Sequence, residues 1–580
     1  MAPSRSELPL SGTPGSPGFC VGRALVLKHD SLEVEQVAGA GPSQELSRLQ
    51  NALEQSKIEL GRVVEVTRKS MGDDKAQIFE AHLMVLDDPE ILAQTEKILN
   101  SENSTAEWAF SNVMDHFENV FSSMKNEYMR ERAADVRDVK SRVLRHLLNK
   151  DVIDLVNLQN EVVLVADDLA PSDTATMNRS KVLGFLTNIG GKTSHSAIMA
   201  RTLGIPAVVG LKDATEKIKT GDWIAFDGSQ GVAYVNPPTA LKDQYLGLRE
   251  EFLNYRKSLL DLVGQKSVTL DDHSVELAAN IGTVDDLEFV KKNDAEGVGL
   301  LRTEFIYLNR SSFPTEEEQY QSYKRIVEGL KGKPVVIRTL DIGGDKNLSY
   351  FDIGKEQNPF LGYRAIRICL RDKPLFHTQL RALLRVAPLG DLRIMFPMIS
   401  SIEEVVQAKK EVQIVKAQLE TEGFRVGNFQ IGIMIEVPSA AIMADELAEH
   451  VDFFSIGTND LIQYTCAVDR MNQKIQDLYN PHHPAIFRLI NQVIKAGHAK
   501  GKWVGMCGEM AGSSEFLAVL VGLELDELSM NPSNILVARK SLRKLKFSDA
   551  KNLAKRILSL SDSKQIEEEL RKFNSSLEKA

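Results

Sequence analysis

A chain of 580 residues is longer than one hydrophobic core serves, so three or four compact units are expected, or fewer if one is a large barrel. Hydrophobic residues at 43% and charged residues at 26% exclude a disordered chain, and a net charge of −10 argues against nucleic acid or a basic membrane surface as the partner. No apolar run reaches the roughly 20 residues of a membrane helix, the opening MAPSRSELPLSGTPGSPGFC lacks a signal peptide's apolar core, and Cys20, Cys369, Cys466 and Cys507 form no CxxC pair, so a cytoplasmic chain without disulfides, zinc or membrane insertion is expected.

After the Pro/Gly/Ser-rich start, Val21 to Lys28 reads as a short strand, and about a hundred helical residues follow. Leu46, Leu49, Leu53, Leu60 and Val64 keep helical spacing; DDKAQIFEAHLMVLDD, the stretch from Ala106 to Met124, and ADVRDVKSRVLRHLL supply further helices, with a turn at Asp88-Pro89. From Glu161 the pattern changes to short β-rich pieces, EVVLVA, KVLGFLT, AVVG, WIAFDG and VAYV, with one helix after Ser194. Residues 1–30 and 151–238 are therefore read as one α/β domain, interrupted by a helical subdomain over 31–150. Pro237-Pro238 closes it. Leu241, Tyr245, Leu248, Phe252, Tyr255 and Leu259 then step by four and three, which predicts an amphipathic helix over 239–263 within a linker of residues 239–264.

Residues 265–580 repeat a strand-then-helix rhythm: ELAANI, GVGLLRTEF, PVVIRTLDIG, LRIMFPMI, IGIMIEVP, VDFFSIGTND, KWVGMCGE and ELSMNP. Eight strands fit a parallel (β/α)8 TIM barrel. Polar residues gather at the C-terminal ends of these strands, the face on which barrel enzymes build their sites: Arg302 and Glu304, Arg338 and Asp341, Glu436, Asn459 and Asp460, Cys507 and Glu509. The fold class expected is thus multidomain α/β with a helical insert, a linker helix and a C-terminal barrel.

In GGKTSHSAIMARTLGIPAVVG, two glycines, Lys192, Thr193 and Ser194 precede His195 and the start of a helix. A phosphoryl group there would meet free N–H groups and the positive end of the helix dipole, and a neutral imidazole is a competent nucleophile at pH 7. An isolated histidine of this kind is ordinarily a solvated loop residue; the surrounding sequence sets this one apart. Glu436 and Asp460 could be a metal pair or an acid–base pair. GGDK, at 343–346, lacks the GxxxxGK[ST] spacing of a Walker site, and Lys346 is a candidate to face a substrate.

Many short strings together carry a resemblance: SPGFCVGRALVL, ERAADVRDV, GGKTSHSAIMAR, LLRTEF, RTLDIGGDK, NPFLGYRAIRI, RIMFPMI, EVPSA, DFFSIGTNDLIQYT, AVDR and GMCGEMAG. In this order, nearly end to end, the chain resembles Enzyme I of the bacterial phosphotransferase system, the phosphoenolpyruvate–protein phosphotransferases. The resemblance implies that His195 of the α/β phosphohistidine domain takes the phosphoryl group from phosphoenolpyruvate (PEP), releasing pyruvate, and passes it to a histidine of the carrier protein HPr. It implies Thr174 as a hydrogen-bond partner of that histidine, Arg302, Arg338, Arg364, Asn459 and Arg470 as substrate-binding residues, Glu436 and Asp460 as ligands of Mg2+, and Cys507 as the proton donor to the enolate, with Glu509 a possible partner of the thiol. On the helical subdomain it implies docking of HPr at Asp73, Asp74, Lys75, His82, Met84, Val85 and Asp88, and for the barrel it implies a homodimer. PEP synthase and pyruvate phosphate dikinase share the phosphohistidine unit and barrel but need an ATP domain, for which no residues are free before His195. A carrier-binding regulatory scaffold would not need the full set of site residues, and a barrel lyase would leave GGKTSH unexplained.

Overall fold

A computed structural model describes residues 9–579 apart from 28–33, 72, 124–126, 149–154, 156–157, 170–176, 179, 192–193, 195, 198–199, 202–203, 309, 311, 345, 347, 349, 352, 355 and 473; within helices the side chains of 66–67, 69–71, 73–78, 123, 127–132, 134 and 578–579 are also outside the description. The chain divides into two compact units, Met1–Arg256 and Lys257–Ala580.

In the first unit, strands β1 (Leu10–Ser11), β2 (Thr13–Ser16), β3 (Phe19–Leu27), β4 (Val162–Ala166), β5 (Val182–Thr187), β6 (Ala207–Val209), β7 (Trp223–Asp227) and β8 (Val232–Val235) form one sheet in the order β1-β8-β7-β3-β4-β5-β6-β2. The central strands β3, β4, β5 and β6 are parallel, and the flanking pairings are antiparallel. Strands β1 and β2 lie in the Pro/Gly/Ser-rich start of the chain, ahead of the first strand expected from the sequence. Each is short and borrows its pairing from β8 or β6, and Gly12 between them permits the approach, since a Cβ there would lie 2.6 Å from the carbonyl oxygen of Val209.

Parallel neighbours cannot be joined by a tight turn. The crossover from β3 to its parallel partner β4 carries the helical insert: α1 (Pro42–Met71), α2 (Asp73–Leu86), α3 (Pro89–Glu102), α4 (Ala106–Ser123) and α5 (Glu127–Leu147). Of the predicted stripe on α1, Leu49, Leu53, Leu60 and Val64 are buried, against Phe79 and Leu86 of α2, Phe110 and Met114 of α4, and Val139 and Val143 of α5. The predicted connecting helix spans Thr239–Leu260 and ends in a turn at 261–264. Its Tyr245 and Phe252 rings meet Phe19 edge-on, with centroids 6.0 and 6.2 Å apart, which ties the N-terminal part of the helix to β3.

In the second unit, β9 (Glu276–Ile281), β10 (Gly297–Arg302), β11 (Val335–Arg338), β12 (Leu392–Phe396), β13 (Phe429–Ile435), β14 (Phe453–Ile456), β15 (Trp503–Met506) and β16 (Glu527–Met530) close into a parallel barrel, with β16 returning to β9. All eight coincide with the expected strands. Strands β11 and β14 are buried along their whole length, as a sheet covered on both faces requires. Inside, Leu300, Val336, Met395, Met434, Phe453 and Cys507 form one apolar cluster, and the larger core lies between the strands and the surrounding helices. Among the described residues no helix is long and apolar enough to cross a membrane.

Candidate active site

Barrel geometry brings the polar ends of five strands together. Arg302 and Arg338 end β10 and β11 as direct cross-strand partners; Glu436 follows β13, Asn459 and Asp460 follow β14, and Cys507 follows β15. The two arginines are held differently. Arg338 is buried, and its Nη2 donates to Glu304 Oε1 at 2.7 Å and stands 3.0 Å from Asp341 Oδ2. Arg302 is half-buried, and its side chain has no ion pair or hydrogen bond among the described residues.

Asp341 is the hub. It receives Arg338, Lys346 at 2.8 Å and Arg364 at 3.0 Å, while Lys346 also donates to Glu304 at 2.8 Å. Burial alone would raise the Asp341 carboxyl, but Arg338, Lys346 and Arg364 outweigh it and hold the group well below the usual carboxylate range. Arg364 is itself buried between Asp341, Tyr464 (3.2 Å to its hydroxyl) and Asp460 (3.8 Å), and the Tyr464 hydroxyl in turn donates to the carbonyl of Phe360. The guanidinium is thereby fixed in one orientation.

Arg470 Nη1 stands 3.9 Å from Asp460 Oδ1, an oxygen that is buried without a hydrogen-bond partner among the described residues. Glu436 is buried, and its Oε1 accepts from Met398 N–H at 2.6 Å. Met398 takes φ 56°, an unusual conformation for a non-glycine residue, which turns that N–H onto the carboxylate. Burial first, then Asp460 and Asp341, push the Glu436 acid up to about 8 against the pull of Arg338 and Arg364. Among the described residues no cluster of three or more His, Cys, Asp or Glu side chains is arranged to hold a metal. The buried pair Glu436 and Asp460, with its orphaned oxygen, nevertheless fits Mg2+, which takes one or two protein carboxylates and completes its shell with waters and substrate oxygens.

Cys507 is 4% exposed, its Sγ is 3.9 Å from the carbonyl of Ile456, and its own carbonyl accepts from Asn280 Nδ2 at 3.0 Å. Burial pushes the thiol up to about 11, with Ser455 and Arg338 drawing it down by less, so it stays protonated at neutral pH. Glu509 is not its partner: it is exposed, accepts from Asn459 Nδ2 at 3.1 Å and donates its N–H to Asn459 Oδ1 at 3.1 Å, which fixes the amide of Asn459.

Five cations (Arg302, Arg338, Lys346, Arg364 and Arg470) thus meet four acidic side chains (Glu304, Asp341, Glu436 and Asp460). Such a surplus at a barrel mouth fits a small acid with both a phosphate and a carboxylate. Glu304 and Asp341 were visible at the strand ends in the sequence, but their role as counter-ions was not, because it depends on which neighbouring loop brings a cation to them.

Comparison with known proteins decides the family. Residues 256–547 match the model of the PEP-binding domain of PEP-utilising enzymes, residues 158–231 that of their mobile domain, and residues 11–132 that of their N-terminal domain. A protein of Priestia megaterium named phosphoenolpyruvate-protein phosphotransferase is 51% identical over 558 residues, covering 96% of this chain and 97% of its own. The chain belongs to the phosphoenolpyruvate–protein phosphotransferases. Proteins of the same name from Staphylococcus carnosus (48% over 558 residues, 96% and 97% covered) and Listeria monocytogenes (48% over 565 residues, 97% and 99% covered) agree.

The remaining candidates of this phosphotransferase-family chain lie in the first unit. His195 and Thr174 are outside the described residues, as are the side chains of Asp73, Asp74 and Lys75, which sit at the start of α2. Met84 is 72% exposed and Val85 half-buried. Asp88 caps α3, accepting from Glu90 N–H at 2.9 Å. His82 is corrected from a surface contact to an interior one: it is 3% exposed, with Asp135 at 3.1 Å and Asp138 at 3.4 Å, both on α5. Its face of α2 points into the bundle, one residue pair away from exposed Met84, a distinction the short string HLMV does not reveal.

Proposed function

We propose that the chain transfers the phosphoryl group of PEP to its own His195, releases pyruvate, and passes the group to a histidine of HPr, as the first step of a sugar phosphotransferase system in the cytoplasm. The observation that carries this reading is the surplus of cations beside a protonated, buried thiol at the C-terminal end of the barrel. Arg302, Arg338, Arg364 and Arg470 bind and orient the phosphate and carboxylate, and Asn459, held by Glu509, donates a further hydrogen bond. Glu436 and Asp460 would hold Mg2+, which when bound would neutralise charge on the transferring group.

Once the phosphoryl group leaves, the enolate needs a proton at C3. Cys507 supplies it, and the upward displacement of its thiol keeps that proton in place until then. Met84 and the neighbouring start of α2 offer the carrier an exposed apolar point with charges around it, the composition of a transient interface. Dimerisation through the barrel belongs to the same reading.

The test is to incubate the chain with labelled PEP and Mg2+, without ATP, and follow an acid-labile phosphoryl adduct together with pyruvate. The adduct should form, be absent in His195→Ala, and drain onto added HPr. Undiminished labelling of His195→Ala would sink the reading; a requirement for ATP would move the chain to a dikinase-like activity.

A further inference from the structure

At its N-terminal end the barrel interior holds two acids where apolar side chains normally stand. Glu527 opens β16, Glu276 opens β9, and the two are cross-strand partners. Glu527 is 2% exposed, and neither of its carboxylate oxygens has a hydrogen-bond partner among the described residues; nor does Oε1 of Glu276. Glycines make the room, since a Cβ on Gly299 would lie 2.5 Å from Glu527 Oε1 and one on Gly505 would lie 3.0 Å from it.

Gly505 of β15 is the register partner of both Glu527 on β16 and Ser455 on β14, so its missing side chain leaves a gap between a carboxyl and a hydroxyl. Ser455 Oγ is buried without a hydrogen-bond partner of normal geometry and lies against the thiol of Cys507, two residues beyond Gly505 on the same strand. Two residues of strand span about 6.6 Å, within the reach of these side chains. The register thus sets carboxyl, hydroxyl and thiol on three successive strands, and each group can both give and take a proton. The charged groups facing Glu527 are Glu276 from β9, Arg393 from β12 and Asp526 beside it, with Cys507 beyond Ser455. Arg393 is engaged elsewhere, with Asp391 at 3.1 Å and over the Trp503 ring at 4.7 Å. Burial and Glu276 push Glu527 up to about 8, so it holds a proton at neutral pH. Glu276, its register partner at the first residue of β9, is the less buried of the two.

We propose that Glu527 returns a proton to Cys507 through Ser455 after each turnover, and that Glu276 refills Glu527 from the N-terminal end of the barrel. The proposal rests on the role given to Cys507 above. The steps balance: the S–H bond of Cys507 breaks as a C–H bond forms at C3 of the enolate; the thiolate takes the hydroxyl proton of Ser455 as Ser455 takes the carboxyl proton of Glu527; the Glu527 carboxylate regains one from Glu276, which takes it from solvent. No electrons change hands. Glu527 acts through Cys507 and touches no substrate. Reloading from the far end spares the phosphoryl-transfer end a water that would otherwise compete as acceptor.

Rapid-quench measurement of pyruvate, with the full chain, excess PEP, Mg2+ and excess HPr, tests this. In Glu527→Gln, which keeps the shape but not the proton, the first turnover should stay within about twofold of the wild-type rate while later turnovers slow about tenfold or more. The wild-type steady-state rate should fall as pH rises through about 8, where Glu527 loses its proton, and this limb should vanish in the variant. Ser455→Ala should give the same split and serves if Glu527→Gln does not fold. Wild-type later turnovers in both variants, or equal slowing of first and later turnovers, overturns the proposal. Cys507→Ala separates the two readings: pyruvate made at the wild-type first-turnover rate would mean that Cys507 is not the donor, whereas its loss beside normal turnover in Glu527→Gln would remove only the relay.

Discussion

The helical insert and the barrel mouth both bury charges, and they treat them in opposite ways. In the insert the buried charges close on one another: Arg48 pairs with Glu45 and Glu107, Arg142 with Glu59 and Asp138, and His82 with Asp135 and Asp138. At the mouth, Glu304 and Asp341 are shared among Arg338, Lys346 and Arg364, and Arg302 has no acidic partner among the described residues. Closed sets hold helices together; a surplus of fixed cations waits for an anion. Removing a partner should therefore destabilise both regions, but among the charged residues only those of the barrel mouth should yield variants that lose PEP binding at unchanged stability.

The largest effect is expected for Arg338→Met. It removes a proposed substrate contact and leaves Glu304 and Asp341 short of a partner, so pyruvate release should fall to background and the barrel should lose about 3–5 kcal/mol in denaturant titration. An intact melting profile in that variant would show that Lys346 and Arg364 carry the acids alone. Next, Cys507→Ala should slow pyruvate formation about 10²–10⁴-fold with little change in stability, read by rapid quench beside a thermal melt. Arg302→Met sharpens the comparison: KM for PEP should rise about 10–100-fold, the loss of a charged hydrogen bond, while the melting temperature stays put. A large fall in stability would mean that Arg302 belongs to a closed set after all.

A smaller effect tests the insert. Burial would lower the pKa of His82, but Asp135 and Asp138 overcome it and raise it to about 9. Because the folded value lies above the ordinary 6.5, the stabilisation is complete below about pH 6.5 and disappears as pH rises through 9, in all about 3 kcal/mol. Far-ultraviolet melts of the insert should therefore weaken between pH 6 and pH 10, and the dependence should vanish in His82→Gln. The smallest change is expected for Met84→Asp, which should weaken HPr binding by about tenfold in titration calorimetry without altering PEP cleavage.

The sequence by itself determined the barrel and which polar residues stand at its mouth. All eight barrel strands were legible because each is a short run bounded by polar residues, and the catalytic candidates were legible because they stand at the ends of those runs. What escaped was pairing. Glu509 follows Cys507 by two residues yet bonds Asn459 on the neighbouring strand end; His82 lies in an apparently exposed string yet faces α5; Glu276 and Glu527 open separate strands 251 residues apart yet meet inside the barrel. Hydrophobic periodicity reports which face of an element is buried, but a charge is defined by its counter-ion, and counter-ions here come from remote segments. Only closure of the barrel and assembly of the helix bundle decided which charges are satisfied, which keep a proton, and which remain available to a ligand.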